Sequence, residues 1–265
     1  MDPRADLTGI DTMRNIKLTL AYDGTAYAGW QVQPGHTTVQ EVLEKAITKI
    51  TGESLRVIAS GRTDAGVHAL GQVVGFRTET HLSADVLRRA LNAELPHDVA
   101  VLEAVEANEA FHPIRDAVRK RYRYVIHDGP VRDVFRRRYC WQYPGRLDEA
   151  AMARAARALV GTHDFSSFET TGAERKDSIR TIYELRVERG RGEEGNLVTI
   201  EVEADGFLYN MVRAIVGTLV EVGRGAKDEA WVAGVLAAQD RRTAGPTAPP
   251  QGLFLVRVDY EETVD

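Results

Sequence analysis

Ile16-Lys17-Leu18-Thr19-Leu20-Ala21-Tyr22-Asp23-Gly24 alternates apolar and polar residues and closes on a turn pair. Successive side chains of an extended chain point to opposite sides, so Ile16, Leu18, Leu20 and Tyr22 share one face of a strand that Asp23-Gly24 ends. The same grammar returns at Tyr122, Tyr124 and Ile126, followed by Asp128-Gly129. Each turn pair leads through a loop into a helix. In the first copy Val39, Val42, Leu43, Ala46, Ile47 and Ile50 have helical spacing, Thr38 and Glu41 make a capping box, and Gly52 lies just past the end. In the second, a helix starts near Asp148, carries Met152, Ala155 and Leu159, and closes at Gly161. The interval from the turn glycine to the closing glycine is 28 residues in one copy and 32 in the other.

Further strands and a second helix follow in both copies. The first of these helices begins at Ser83, with Leu82 and Leu87 placed as a hydrophobic staple, and ends before Pro96. Its counterpart spans roughly residues 207–222, with Leu208, Met211, Ile215 and Leu219 on one face. Other strands are expected at 101–105, 182–187, 198–202 and 253–258, and a last helix carries Trp231, Val232, Val235 and Leu236. The proline-rich segment 243–250 reads as a rigid loop. A β-α-β…α-β order occurring twice predicts an α+β chain of two split-βαβ, ferredoxin-like units. Their sheets can join edge to edge with the helices on one face, leaving the opposite face open for a ligand. Residues 1–13 read as an N-terminal tail, 14–108 as one half and 109–265 as the other.

At 265 residues and 29.3 kDa the chain can build a substantial core. Hydrophobic residues make up 43% and charged residues 28%, and no apolar run approaches the ~18 residues of a membrane-spanning helix. No membrane association is expected, and the first residues lack the apolar segment of a secretory signal. The single cysteine, Cys140, permits no internal disulfide, which suits a reducing, cytoplasmic setting; beside Trp141 it reads as a small core residue.

Net charge is −5, yet residues 115–138 hold nine basic side chains against three acidic ones, so this window is +6 and the remainder −11. A basic window on an acidic protein places attraction for phosphate where a nucleic acid docks. The excess of 28 Arg over 6 Lys suits bidentate phosphate contacts, and codon bias in a GC-rich genome explains it equally well.

The chemistry-bearing stretch is Ser60-Gly61-Arg62-Thr63-Asp64-Ala65-Gly66-Val67-His68-Ala69-Leu70-Gly71-Gln72. Leu55, Val57 and Ile58 precede it and Val73, Val74 and Phe76 follow, which puts Asp64 on a tight connection between two strands. On spacing alone this is equally a surface turn, since Asp and Gly are ordinary turn residues. No GxxxxGK[ST] loop, HExxH helix or cysteine pair is present, so no metal site is expected. His68 and His112 lack a second histidine at ligand spacing and read as structural or RNA-contacting.

The string GRTDAGVHA resembles the active-site motif of the tRNA pseudouridine synthase A family. Tyr22-Asp23-Gly24 through Gly29-Trp30-Gln31, Val39-Gln40-Glu41, Lys120-Arg121-Tyr122-Arg123-Tyr124 and Asn210-Met211-Val212-Arg213 through Val216-Gly217 resemble further motifs of that family, in the same order. The resemblance runs from about Ile16 to Tyr260. It implies one extended mixed, largely antiparallel sheet, the pseudouridine synthase fold, with the active cleft between the halves. It implies Asp64 as the catalytic carboxylate, Arg213 as its ionic partner, and Tyr122 as the ring that stacks on the target uracil, while Tyr124 reads as core. Arg62 is expected to contact the RNA backbone or occupy the space of the flipped nucleotide, the alternative being a loop salt bridge.

The implied reaction cleaves a C–N glycosidic bond, turns the uracil and rejoins it through carbon, at positions 38 to 40 of the tRNA anticodon stem-loop. No cofactor is expected, and a homodimer is implied. Two other readings remain: a catalytically silent RNA-binding protein of the same fold, and a metal-free hydrolase using Asp64. For the hydrolase, no second carboxylate stands near Asp64 in the sequence.

Overall fold

The computed structural model describes residues 13–170 and 177–261, so nearly all of the expected tail lies outside the described residues. The first half runs β1 (Arg14–Tyr22), α1 (Val39–Thr51), β2 (Ile58–Ala59), β3 (His68–Thr78), α2 (Ala84–Glu94) and β4 (Val99–Ala107). The second runs β5 (Ala117–His127), β6 (Trp141–Gln142), α3 (Glu149–Ala156), β7 (Gly161–Asp164), β8 (Ile179–Arg189), β9 (Leu197–Ala204), α4 (Met211–Gly223), α5 (Glu229–Ala238) and β10 (Leu253–Tyr260).

Helix boundaries follow their caps. The Thr38 side chain accepts from the Glu41 amide and Gly52 closes α1 in the left-handed region at φ 78°. Ser83, Asp148 and Asp228 cap α2, α3 and α5 in the same manner. The expected helix at 207–222 begins four residues late, at Met211, because Asn210 has left-handed backbone and cannot continue a right-handed helix.

All strands join one ten-stranded sheet in the order β4-β1-β3-β10-β5-β9-β8-β7, with β2 also on β3 and β6 on β5. The first half is thus β4-β1-β3-β2 and the second β10-β5-β9-β8, the same permutation of a four-stranded antiparallel unit. The expected duplicated α+β sheet is present. Its seam is a short parallel pairing of β3 with β10, Phe254 opposite His68 and Leu255 opposite Ala69. Because β2 is only two residues long, the edge of β3 is left for β10.

Register keeps one face apolar across the seam. Leu18 lies opposite Val74, Tyr22 opposite Ala69, Leu255 opposite Tyr122, and Tyr124 opposite Ile200. This face joins the helices in a single buried cluster. The other face, expected from the sequence to stay open for a ligand, is laced with ion pairs. Arg119, Arg121, Arg123 and Arg257 there pair with Glu184, Glu201 and Glu203, while Phe111 and Tyr260 pack edge to face beneath Lys17. The strand arginines of the basic window are therefore neutralised by carboxylates of β8 and β9. Among the described residues no helix is long and apolar enough to cross a membrane.

The repeated Asp-Gly pairs do different work. Asp23 caps a short turn, its Oδ1 accepting from the Thr25 amide and hydroxyl. Asp128 is buried and receives a two-pronged Arg189 at 2.9 Å on each oxygen plus the Leu147 amide at 2.9 Å. Burial opposes ionisation of Asp128, but these donors and the nearby Arg146 outweigh it and hold the carboxyl below the usual carboxylate range.

Two predictions test this architecture. Asp128→Asn leaves Arg189 partly unpaired and should cost about 3–5 kcal/mol at pH 7 by urea unfolding. A lowered folded-state pKa stabilises above the unfolded value of about 3.9 and ceases to do so as pH falls through the folded value, so wild type and variant should converge in acid. At the seam, a Cβ on Gly71 would stand 2.5 Å from the Val256 carbonyl oxygen, whereas one on Gly234 in α5 meets nothing within 4 Å. Calorimetry should show Gly71→Ala lowering Tm by several degrees, from about 1–3 kcal/mol of overpacking, and Gly234→Ala raising it, from about 0.5–1 kcal/mol of helix propensity.

Candidate active site

Asp64 stands on the loop that joins β2 to β3, and that loop rests on two glycines. Trp30 N–H donates to Thr63 O at 3.0 Å, and Gly29, at φ +92°, lets the backbones touch: a Cβ there would lie 2.8 Å from the same oxygen. A Cβ on Gly24 would lie 1.9 Å from Val67 O. The Val67 amide donates to Asp64 O at 3.1 Å and closes the turn, with Gly66 at φ 78°. Side chains hold the flanks. Tyr22 Oη and Thr63 Oγ1 are 2.8 Å apart, Ser60 Oγ donates to Gln72 Oε1 at 2.7 Å, and Gln72 Nε2 donates to Gly61 O at 2.8 Å.

Arg213 reaches Asp64 from the other half of the sheet. Eleven of the thirteen residues of α4 are buried, so Arg213 is one of two that emerge from the core. Its Nη1 lies 3.0 Å from Asp64 Oδ2, with both side chains partly exposed, at 16% and 26%. Nε donates to Ala248 O at 2.7 Å and Nη1 also donates to Asn210 Oδ1 at 2.8 Å. The Ala248 carbonyl is available because the 243–250 loop presses on α4. A Cβ on Gly217 would lie 1.6 Å from Pro246 O, the Gly245 amide donates to Thr218 Oγ1 at 3.0 Å, and the Ala248 amide donates to Arg213 O at 3.0 Å.

Tyr122 lies on the apolar face of β5 beside the same gap. It is 8% exposed, its ring stands edge to face on Phe207 at 5.0 Å, and its hydroxyl has no protein hydrogen-bond partner among the described residues. Burial drives its phenol far above the ordinary value, with the charges of Tyr22 and Asp64 adding to the effect, so it is neutral. Tyr124 is fully buried and donates to Pro249 O at 2.7 Å, a core role. Arg62 is exposed and has no ion pair or hydrogen bond among the described residues. The structure thus brings Asp64 and Arg213 into contact with Tyr122 close by, and leaves the Arg62 side chain free in solvent.

His68 belongs to the frame. It is 1% exposed, its Nδ1 accepts from the Gly24 amide at 3.1 Å and its Nε2 donates to Arg138 O at 2.9 Å. Asp23 Oδ1 lies 3.1 Å from the same Nδ1, but the Gly24 amide supplies the proton there and burial lowers the pKa of His68, so the ring is neutral. Cys140 is buried, with burial pushing its thiol up to about 11, as a packed and unreactive residue requires. Sequence reasoning missed Asn210, Phe207 and the Ala248 carbonyl. An asparagine ahead of an apolar helix is a visible signal for Asn210; a backbone carbonyl has none.

A carboxylate and an arginine from opposite halves of a duplicated ferredoxin-like sheet, beside a buried tyrosine, belong with the RNA-modifying enzymes that the motifs resemble. A family model described as tRNA pseudouridine synthase matches residues 19–114 and 155–261, and the chain belongs to that family of isomerases. Its relatives include tRNA pseudouridine synthase A of Thermoanaerobacter sp. (strain X514), 48% identical over 94% of this chain and 100% of that protein. Another, from Geobacillus kaustophilus (strain HTA426), is 47% identical over 94% and 95%. A solved Cbf5-Nop10-Gar1 complex aligns with 92% of this chain and 50% of its own at 13% identity, with a TM-score of 0.40.

The glycine floor generates a prediction. Gly29→Ala must displace the Thr63–Asp64 peptide from its present seat, and displacement on the order of 1 Å costs ~10²-fold in turnover. Turnover of tRNA uridine should fall by that order while tRNA affinity changes little, measured by single-turnover assay and filter binding.

Proposed function

We propose that this chain converts uridine to pseudouridine at positions 38 to 40 of the tRNA anticodon stem-loop, with Asp64 as the nucleophile or base. The observation that carries the reading is the 3.0 Å contact between Asp64 and Arg213. The adjacent guanidinium gives the carboxylate a charge-assisted hydrogen bond and fixes its orientation in the cleft. The reaction is an isomerisation: the N1–C1′ bond breaks, C5–C1′ forms, C5 gives up a proton and N1 takes one. Every atom is retained, so a general base with a surface to hold the detached uracil suffices.

Tyr122 supplies that surface in this reading. Its ring is fixed by Phe207, so its hydroxyl and remaining face are what the cleft offers a pyrimidine. Arg62, exposed and without an ionic partner among the described residues, is assigned to the RNA backbone or to the space left by the everted nucleotide. A cytoplasmic homodimer completes the proposal: a lone buried cysteine suits a reducing compartment, and the members of the family that the motifs resemble hold tRNA across two subunits.

The test is incubation of purified protein with unmodified tRNA, followed by mapping of pseudouridine. Wild type should modify positions 38 to 40, and Asp64→Asn or Asp64→Ala should lose at least ~10³-fold in rate while still binding tRNA. Tight binding by wild type without conversion would establish the silent RNA-binding alternative instead.

A further inference from the structure

Asn210 departs from two habits of helix starts. As the residue capping α4 it has φ 61° and ψ 6°, whereas such residues ordinarily have extended backbone. Its side chain accepts from no backbone amide of the helix's first turn, forgoing a contact that commonly contributes about 1 kcal/mol. Among the described residues only Asn210 and Gln239 combine a side chain with positive φ. Backbone of this kind persists where the surroundings over-determine it, often beside a functional contact.

What Asn210 gains lies on the Arg213 guanidinium. Oδ1 accepts from Nη1 at 2.8 Å, and Nδ2 donates to Thr170 Oγ1 at 3.2 Å. This orientation of the amide is required, since a guanidinium has no acceptor. The Thr170 amide in turn donates to Tyr209 O at 3.1 Å, so Asn210 is clamped from both sides. Nη1 carries two hydrogens: one goes to Asn210 and the other to Asp64. With Nε on Ala248 O, two fixed acceptors define the plane of a rigid fork, and the remaining Nη1 hydrogen is delivered to the carboxylate.

We propose that Asn210 is a positioning residue for the isomerisation, acting through Arg213 to keep its Nη1 hydrogen on Asp64 while a nucleotide enters the cleft. The proposal rests on the assignment of Asp64 and Arg213 made above. Three proteins test it on unmodified tRNA: wild type, Asn210→Gly and Asn210→Asp. Glycine adopts the left-handed backbone freely and removes only the side chain, so folding is preserved. Its single-turnover rate should fall ~10- to 100-fold, with tRNA affinity within about twofold and Tm within a few degrees of wild type. Aspartate tolerates the same backbone and keeps an oxygen facing Arg213, but it loses the donor to Thr170 and adds a charge that shares the guanidinium with Asp64, so it should recover part of the rate, severalfold above glycine and below wild type. A glycine variant at full rate, or an aspartate variant as slow as glycine, overturns the proposal. An inactive wild type instead overturns the functional assignment beneath it, so the two failures are told apart.

Discussion

One ion pair spans the whole architecture. Asp64 and Arg213 are 149 residues apart in sequence and come from opposite halves of the sheet. Both side chains are mostly buried yet still in touch with water, so screening limits what the pair contributes to folding. Its strength depends on what fills the cleft, because Coulomb attraction grows as water is displaced and the effective dielectric falls. Anything that displaces water from the gap beside Tyr122 would therefore strengthen the pair.

Geometry of that kind requires rigid mountings, and both are backbone contacts that only glycine permits. Gly29 lies directly under the Thr63–Asp64 peptide, and Gly217 lies directly under the loop whose Ala248 carbonyl holds Arg213. The loop over α4 is further pinned by Thr218 and by reciprocal approach at Gly245. Side-chain packing alone leaves more play than contact between two peptide planes. The charges are consequently placed by main chain, with side-chain hydrogen bonds only trimming their final orientation.

The sequence exposes those features whose causes are local. Strand alternation in β1 and β5, the Thr38 and Ser83 caps, the closing glycine at 52 and the duplicated order are all short-range patterns, and the structure contains them. What it conceals depends on partners distant in the chain. Arg121 and Arg123 read as a phosphate-binding strip because the carboxylates that neutralise them, Glu201 and Glu203, lie on another strand some eighty residues on. Uncompensated charge is found instead nearer the β5–β6 connection, where Arg132 and Arg138 are exposed with no ion pair among the described residues. The start of α4 was hidden for a different reason: the apolar pattern continues back through Phe207 and Leu208, and only the left-handed backbone at Asn210 interrupts it. The Asp64–Arg213 contact follows neither from spacing nor from composition and was reachable only through the motifs' resemblance to a family.

The duplication itself shows how such a site can arise. Both halves use the same strand permutation, yet they contribute non-equivalent parts: the first its connection between the second and third strands, the second its helix between the third and fourth. The structural difference lies in the second strand. β8 has eleven residues and pairs with β9 from Ile182 to Arg189, and the chain returns through a short connection at 190–196. β2 has two, and the vacated edge of β3 is taken by β10, whose pairing begins at His68, directly after the Asp64 loop. Shortening one strand thus does two things at once. It frees a connection that would otherwise be a tight hairpin, and it draws the second half of the protein, with α4 and its arginine, up against that connection. The charge pair and the seam both lie beside the short β2, so the candidate site sits where the two halves meet and not at the corresponding place within either one.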